Sequence, residues 1–489
     1  MFSATIVAFR RRFLTICFCF ASVLLTVELA VASFSCQEND DLIWSQFRGN
    51  QQNPVVEHPQ LPDRWSESEN IEWALELPGR GWSSPIIVGN QVFVTTVVTA
   101  GDSKPPQTGT EYSNELVAEL TEQGLSQAEV MKRVMERDFE LPDEVDLEYF
   151  LYSIQLDSGK VLWRQRYHHG KPPGGRHRKN SFCSETPITD GRKIYVYSTN
   201  VGLFAYDLTG KLAWSRPLEA LPIYMNFGSG SSPVLCDDRI LIVHDNEQKS
   251  FISAFNTETG ELIWQVDRNC DDPQNRHPGK SAWVTPCLWK NSLRTEIVTV
   301  GPGTAISYNL DGDELWRING MNPAPAASSL ALGDRLILNA GRGKPIYAID
   351  PGAAGDITPM GDDKQPDCIA WRTPRTGTYI PTPLIYQDKL YVIADNGILT
   401  CLDLSSGMVH YKRRVKPSGA DFTASPWAYG DKIFLASEQG EIFVVSASTE
   451  FDLLHTNSIG ELIMATPAIA GDRLLIRSES RLSSIRSSN

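Results

Sequence analysis

Short runs of alternating apolar and polar residues fill most of the chain, and each run is closed by a turn. Alternation with a period of two predicts half-buried β-strands. One arrangement recurs with fixed spacing. A strand leads into a turn opened by Asn or Asp and closed by Gly, and the next strand carries an aromatic residue four places after that Gly. It reads "AFNTETGELIW" (Gly260, Trp264), "AYDLTGKLAW" (Gly210, Trp214), "SIQLDSGKVLW" (Gly159, Trp163), "SYNLDGDELW" (Gly312, Trp316) and "CLDLSSGMVHY" (Gly407, with Tyr411 in the aromatic place). The chemistry predicts a tight hairpin. The Asn or Asp side chain bonds back to its own backbone, the Gly takes a left-handed conformation, and the aromatic ring covers the neighbouring unit.

A second signature precedes the hairpins: Ser or Thr, usually followed by Pro, then an apolar strand, a polar turn and another strand. It starts near Ser83, Thr186, Ser231, Thr285, Ser328, Thr382, Ser425 and Thr466. Pro is tolerated at a strand start, where its missing N–H costs little. Eight such units of four strands predict an all-β fold, an eight-bladed β-propeller spanning residues 71–489. The last unit, "ATPAIAGDRLLIRSESRLSSIR", ends before a fourth strand, whereas Ile71–Leu77 is a fourth strand with no unit before it. The N-terminal strand is therefore expected to close the ring by completing the eighth blade. The regular spacing breaks once, at residues 100–149 inside the first blade. There "SQAEVMKRVMERDFE" has a capping box, Ser126 with Glu129, and an apolar stripe of Val130, Met131, Val134 and Met135, predicting a helical insertion.

Composition adds compartment and partner class. Arg10–Arg12, the apolar run from Phe13 and the Ala30-Val31-Ala32 site predict a signal peptide over residues 1–32, followed by an N-terminal extension over 33–70. The mature protein is then expected in the periplasm or secreted, as a monomer. A lipidated Cys36 would add peripheral membrane association. Formal net charge is −14, and residues 1–32 hold three Arg and one Glu, which leaves −16 beyond them. Such an acidic chain is not expected to bind nucleic acid. Seven Cys lie beyond residue 32, with no C-x-x-C pair, so neither a zinc ribbon nor a thioredoxin-type site is indicated. Cys270 and Cys287 are spaced to close a disulfide loop. The remaining Cys are expected to be buried as small apolar residues.

The A-x-D-x-x-T-G-x-x-x-W repeat resembles the tryptophan-docking motif of PQQ-like (quinoprotein-like) eight-bladed propellers. The resemblance runs from Trp44 to the C-terminus, with "WSQFRGN", "LPDRWSESENIEWALELPGRGWSSP" and "LLIRSES" similar to a bacterial extracytoplasmic group. It implies one of two branches. In the dehydrogenase branch PQQ sits with calcium in the central funnel, between a Trp and a disulfide of adjacent cysteines, with an Asp as base. In the other branch the propeller is a scaffold without cofactor, like the lipoprotein of the outer-membrane β-barrel assembly machine. No two Cys are adjacent here, and no Asp matches the catalytic one. The expectation is an exported non-catalytic scaffold or ligand-binding propeller with no cofactor. The alternative is a PQQ–calcium oxidoreductase using the funnel.

Loops joining one blade to the next gather at one mouth of a propeller channel. Here they are rich in basic and aromatic residues. The candidates for a ligand-binding funnel are Arg80, His177, Lys179, Asn180, Trp283, Arg375 and Tyr379, with His168, His169, Arg176, Arg178, Arg276 and His277 close by in sequence. Basic residues in an acidic chain suggest a funnel for a small anionic ligand, beside a protein partner for the scaffold. The other reading is that these charges pair with nearby Asp and Glu. The three His after blade one lack a fixed metal-binding spacing, so no metal site is assigned.

Overall fold

The computed structural model describes residues 43–58, 60–99, 114–139, 145–177, 179–270, 279–360 and 365–487. The segment expected to be a signal peptide, Cys36, Arg178, Arg276 and His277 lie outside the described residues. Eight sheets, each with a four-stranded antiparallel blade, form the expected propeller; blades 1 and 4 each carry a fifth, two-residue strand. Blade 1 spans Ile86 to Gly170, blade 4 spans Cys287 to Asn319, and blade 7 spans Trp427 to Ser458. Blade 8 takes three strands from the C-terminus, and Ile71–Glu76 pairs antiparallel with Arg481–Ile485 as its fourth. The core lies between the sheets: Ile188, Tyr195 and Leu203 of blade 2, for example, pack against Ile240 and Phe255 of blade 3.

The hairpins form as the sequence predicts. Asp207 Oδ1 accepts from the N–H groups of Thr209 (2.9 Å) and Lys211 (3.0 Å), and Gly210 has φ 88°. In every blade the ladder between the third and fourth strands shifts register just before the aromatic position, as at Leu212/Trp214 or Ile71/Trp73. One extra residue there re-aims the next side chain. In five blades that side chain is a Trp whose target is the next blade, while blades 6 and 7 carry Tyr411 and His455 there. Trp73 Nε1 donates to Leu156 O (2.8 Å), Trp163 to Leu208 O (3.0 Å), Trp214 to Thr257 O (3.0 Å), Trp264 to Leu310 O (2.9 Å) and Trp371 to Leu404 O (3.0 Å). Each ring lies over the next blade's turn Gly; a Cβ on Gly210 would stand 2.8 Å from the Trp163 ring. The Gly thus meets two demands at once, a left-handed backbone and a flat seat.

Blade 4 departs from the pattern. Trp316 is fully buried and donates to Glu296 Oε2 of its own blade (2.7 Å), while Trp289 of the inner strand docks on Gly333 O (3.0 Å). The reason is local: blade 5 carries a long connection whose Gly355–Asp356 pairs parallel with Trp316–Arg317 and occupies the docking place. Ring closure has its own lock. Glu72, the bulged residue of the closing strand, accepts from Arg473 Nε (2.8 Å), Ser484 Oγ (3.0 Å) and Arg486 Nη1 (3.1 Å). Burial works against its charge, but these bonds prevail and hold its carboxyl below the usual range.

The insertion in blade 1 is a helical pair, α1 (Asn114–Glu122) and α2 (Gln127–Phe139). The capping box is made: Ser126 N donates to Glu129 Oε2 (3.0 Å) and Glu129 N to Ser126 Oγ (3.4 Å). Val130 and Val134 bury against Leu120 of α1. Residues 147–149, expected within the insertion, instead extend the third strand, Leu147–Gln155, which pairs along the whole of Gln91–Thr99. The Cys270–Cys287 bridge is not formed. Cys270 packs on Gly301, Cys287 lies in the inner strand of blade 4, and both are free and buried, as are Cys183, Cys236 and Cys401.

Gly210 and Gly419 share φ 88°, but a Cβ on Gly419 would meet nothing within 4 Å. Gly419→Ala is expected to cost about 1 kcal/mol in urea unfolding through backbone strain alone. Gly210→Ala is expected to cost about 1–3 kcal/mol more, because its Cβ displaces the Trp163 ring. That excess should disappear in a Trp163→Ala background, a double-mutant cycle that isolates the docking contact.

Candidate functional site

The Ser/Thr signatures do more than start strands. Their hydroxyls join the blades around the channel. Ser84 N donates to Thr186 Oγ1 (3.0 Å), Thr186 N to Ser232 Oγ (2.9 Å) and Ser232 N to Thr285 Oγ1 (3.0 Å). The series resumes from Ser328 N to Thr382 Oγ1 (3.0 Å), Thr382 N to Ser425 Oγ (3.1 Å) and Ser425 N to Thr466 Oγ1 (3.0 Å). The six accepting hydroxyls all line one cavity of about 430 Å³. Its aromatic wall includes Trp82, Phe227, Trp283 and Tyr379 from the blade-connecting loops.

The floor comes from a segment with no repeat character. Ile43–Trp44 pairs with Ile87–Val88 of blade 1, and the chain then crosses the channel. Gln52 Nε2 donates to Pro286 O (2.7 Å) and its Oε1 accepts from Leu288 N (2.9 Å), both in blade 4. Asn53 exchanges two bonds with Ile385 of blade 6, and Val55 bridges Ala428 of blade 7. Phe47 lines the cavity. Arg48, fully buried beside it, donates to Pro383 O, and its Nε and Nη1 have no partner among the described residues; burial lowers its pKa to about 9.

Five of the seven sequence candidates line this cavity: His177, Lys179, Asn180, Trp283 and Tyr379. The loop after blade 1 is held as a compact turn. Lys179 N donates to His177 Nδ1 (3.1 Å), Trp82 Nε1 to Lys179 O (2.9 Å), and Asn180 Nδ2 to Ser229 O (2.8 Å). Trp283 Nε1 donates to Gly228 O (2.6 Å), and its ring stands 6.1 Å from Phe227. Lys179 reaches across the channel to blade 7, where its Nζ pairs with Glu438; the two side chains are 7% and 0% exposed. Thr423 Oγ1 also donates to Glu438 (2.7 Å). Arg342 lies over the Tyr379 ring at 5.7 Å and faces Asp395 at 3.5 Å. Beside them, burial and the Glu438 charge raise the pKa of Asp421.

Two candidates stand elsewhere. Arg80 pairs with Glu479 in a separate hollow with Arg176. Arg375 is exposed in the turn after blade 5, in a left-handed conformation (φ 54°). His168 and His169 belong to the fourth strand of blade 1, Val161–Gly170, rather than to the loop after it; His168 packs on Tyr149 at 5.2 Å. No cluster of three or more His, Cys, Asp or Glu able to hold a metal occurs among the described residues. Phe47, Arg342 and Glu438 escaped sequence reasoning. Phe47 sits in a stretch without periodicity, Arg342 finds its partner in the next blade, and Glu438 meets Lys179 only through the closed ring.

A family model, PQQ_2, described as outer membrane protein assembly factor BamB, matches residues 150–286 and 292–452. The chain belongs to this family. Among similar proteins, quinohemoprotein alcohol dehydrogenase ADH-IIG of Pseudomonas putida is 25% identical over 230 residues, 42% of this chain and 31% of that protein. Outer membrane protein assembly factor BamB of Shewanella oneidensis is 20% identical over 246 residues, 50% of this chain and 47% of that protein. The chain thus spans less than half the length of the curated relatives it matches. Among solved structures, quinohemoprotein alcohol dehydrogenase from Comamonas testosteroni superposes with a TM-score of 0.60 at 10% identity, covering 91% of this chain and 81% of the other. At that identity the likeness shows the fold alone. The PQQ_2 propeller therefore has assembly-factor and dehydrogenase relatives alike, and its own cavity has to distinguish them.

The buried Lys179–Glu438 pair gives a stability test. Lys179→Met strands a buried carboxylate and is expected to cost about 3–5 kcal/mol in urea unfolding. Adding Glu438→Gln removes the stranded charge and should restore more than half of that loss.

Proposed function

We propose that this PQQ_2 propeller acts outside the inner membrane as a non-catalytic scaffold or ligand-binding protein, with a protein partner or a small molecule as its target. One observation carries the reading: the buried Lys179–Glu438 ion pair, which ties up the lysine in the wall of the cavity where a funnel cofactor would sit. Breaking such a pair to seat a cofactor would leave a buried charge uncompensated.

PQQ with calcium is the group the dehydrogenase relatives suggest. A calcium ion wants six to eight oxygen ligands from convergent carboxylates and carbonyls. Glu438 is committed to Lys179 and Thr423, and Asp395 faces Arg342. The described cysteines are free and none is adjacent to another. These residues do not fit the group, and no redox step is derived through it. The second reading, a PQQ-dependent oxidoreductase using the funnel, is favoured only by the dehydrogenase relatives. Names such as BamB, an outer membrane protein assembly factor, support a protein partner for the first reading.

The test is reconstitution. The purified full chain, incubated with PQQ and Ca²⁺ and then desalted, is expected to retain no stoichiometric quinone and to reduce no dye with primary alcohols. Retention of one quinone per chain with alcohol-dependent dye reduction would overturn the reading.

A further inference from the structure

We propose that the channel cavity is a binding site for an uncharged pyranose glycan, stacked on Trp283 and hydrogen-bonded by the ring of Ser/Thr hydroxyls. This deepens the non-catalytic binding reading above and rests on it.

The first observation is the state of the hydroxyls. Thr186, Ser232, Thr285, Thr382, Ser425 and Thr466 each accept a backbone N–H from the preceding blade. None of the six donates its own proton to an acceptor among the described residues, and all six line the cavity. A hydroxyl has one proton to give and two lone pairs. Here one lone pair is used by the fold, so the proton and the second lone pair face the cavity. The result is a ring of small groups that can donate and accept at short spacing. Ser328 adds a seventh hydroxyl that makes no blade joint.

A second, independent feature is charge. The two cations lining the cavity beside His177, Lys179 and Arg342, each face a carboxylate, and Asp421 adds another acid nearby. Arg48 lies sealed beneath the floor and is not part of the lining. Lys179 is closed off in a buried pair, and the charge of Arg342 is offset by Asp395 at 3.5 Å, so the wall offers a fully charged ligand no net positive site. A neutral ligand rich in hydroxyls meets complementary groups everywhere.

The third feature is the aromatic wall. Trp283 is half-buried, and its indole N–H is already satisfied by Gly228 O, which fixes the ring edge and leaves stacking as its remaining contact. Gly230 next to it has no Cβ to fill the space before the ring; one there would touch Trp283 at 3.8 Å. The apolar C–H face of a pyranose suits such a platform, while its hydroxyls reach the ring of Ser and Thr. The cavity, about 430 Å³, falls in the size range of small-molecule sites.

The experiment is a calorimetric and saturation-transfer titration of the purified full chain. The probes are neutral trisaccharides of gluco, galacto, manno, xylo and N-acetylglucosamine type, with galacturonate and glucuronate trimers and PQQ as charged probes. At least one neutral trisaccharide is expected to bind, with affinity changing less than about twofold between low and high salt, since no net charge is matched. Trp283→Ala should weaken it by at least about tenfold. Ser328→Ala should weaken it several-fold at unchanged unfolding midpoint, since that hydroxyl joins no blades. Arg375→Ala, outside the cavity, should leave it unchanged. No binding of any neutral trisaccharide at millimolar concentration, binding untouched by Trp283→Ala, or a tenfold preference for a uronate trimer would overturn the glycan proposal while leaving a non-catalytic propeller. Only uptake of PQQ with turnover would overturn the reading beneath it.

Discussion

The architecture depends on blades being fastened to their neighbours at two radii, by six inner hydroxyl joints and five outer tryptophan docks. Near the axis, a signature hydroxyl receives the backbone N–H of the previous blade. Near the rim, a tryptophan lies over the next blade's glycine and donates to its turn carbonyl. A sheet whose two faces are both apolar has to be covered on each side by a neighbour. Eight of them, coupled in series and closed by Ile71–Glu76, bury both faces of every sheet and leave no open end. The outer tryptophan dock is absent in blades 4, 6 and 7; at blade 4, Trp289 replaces it from the inner strand. The coupling is kept even though the residue that makes it has changed.

The inner fastening also creates the site. Because the joining atom is a hydroxyl, each joint leaves a polar group facing the channel. The fold thus supplies a ring of hydrogen-bonding groups without placing them for a ligand. The floor, the aromatic wall and the ion pairs then give that ring its character. Phe47 and the segment around it close one end, the blade-connecting loops add Trp82, Phe227, Trp283 and Tyr379, and Lys179 is neutralised from across the channel by Glu438.

The repetitive part of this architecture was legible because it is written in local chemistry. Asp207 with Gly210, the capping box of Ser126 with Glu129, and the orphan strand at Ile71 each state their structure within a few residues. The bulge before each tryptophan was not legible, since it exists only in the pairing of two strands. Nor was the path of residues 43–57 across the channel. "WSQFRGNQQNPVV" has no period, and Gln52 and Asn53 find their partners more than two hundred residues away. The site was half legible. Loop position identified five cavity residues, but formal charge alone suggested a basic funnel. Glu438 of blade 7 and Asp395 of blade 6, both remote in sequence from those loops' own residues, face those charges. Arg80 and Arg375 lie outside this cavity for a simpler reason: lying in the right loop does not fix which way a side chain turns.

The central claim is that the channel is built for binding and its charges are already paired. Native mass spectrometry of the protein isolated from its own cells would test this most directly. The account predicts a chain that carries either nothing or a neutral glycan in its cavity, released on denaturation. A chain that carries one quinone and one metal ion per molecule would contradict it.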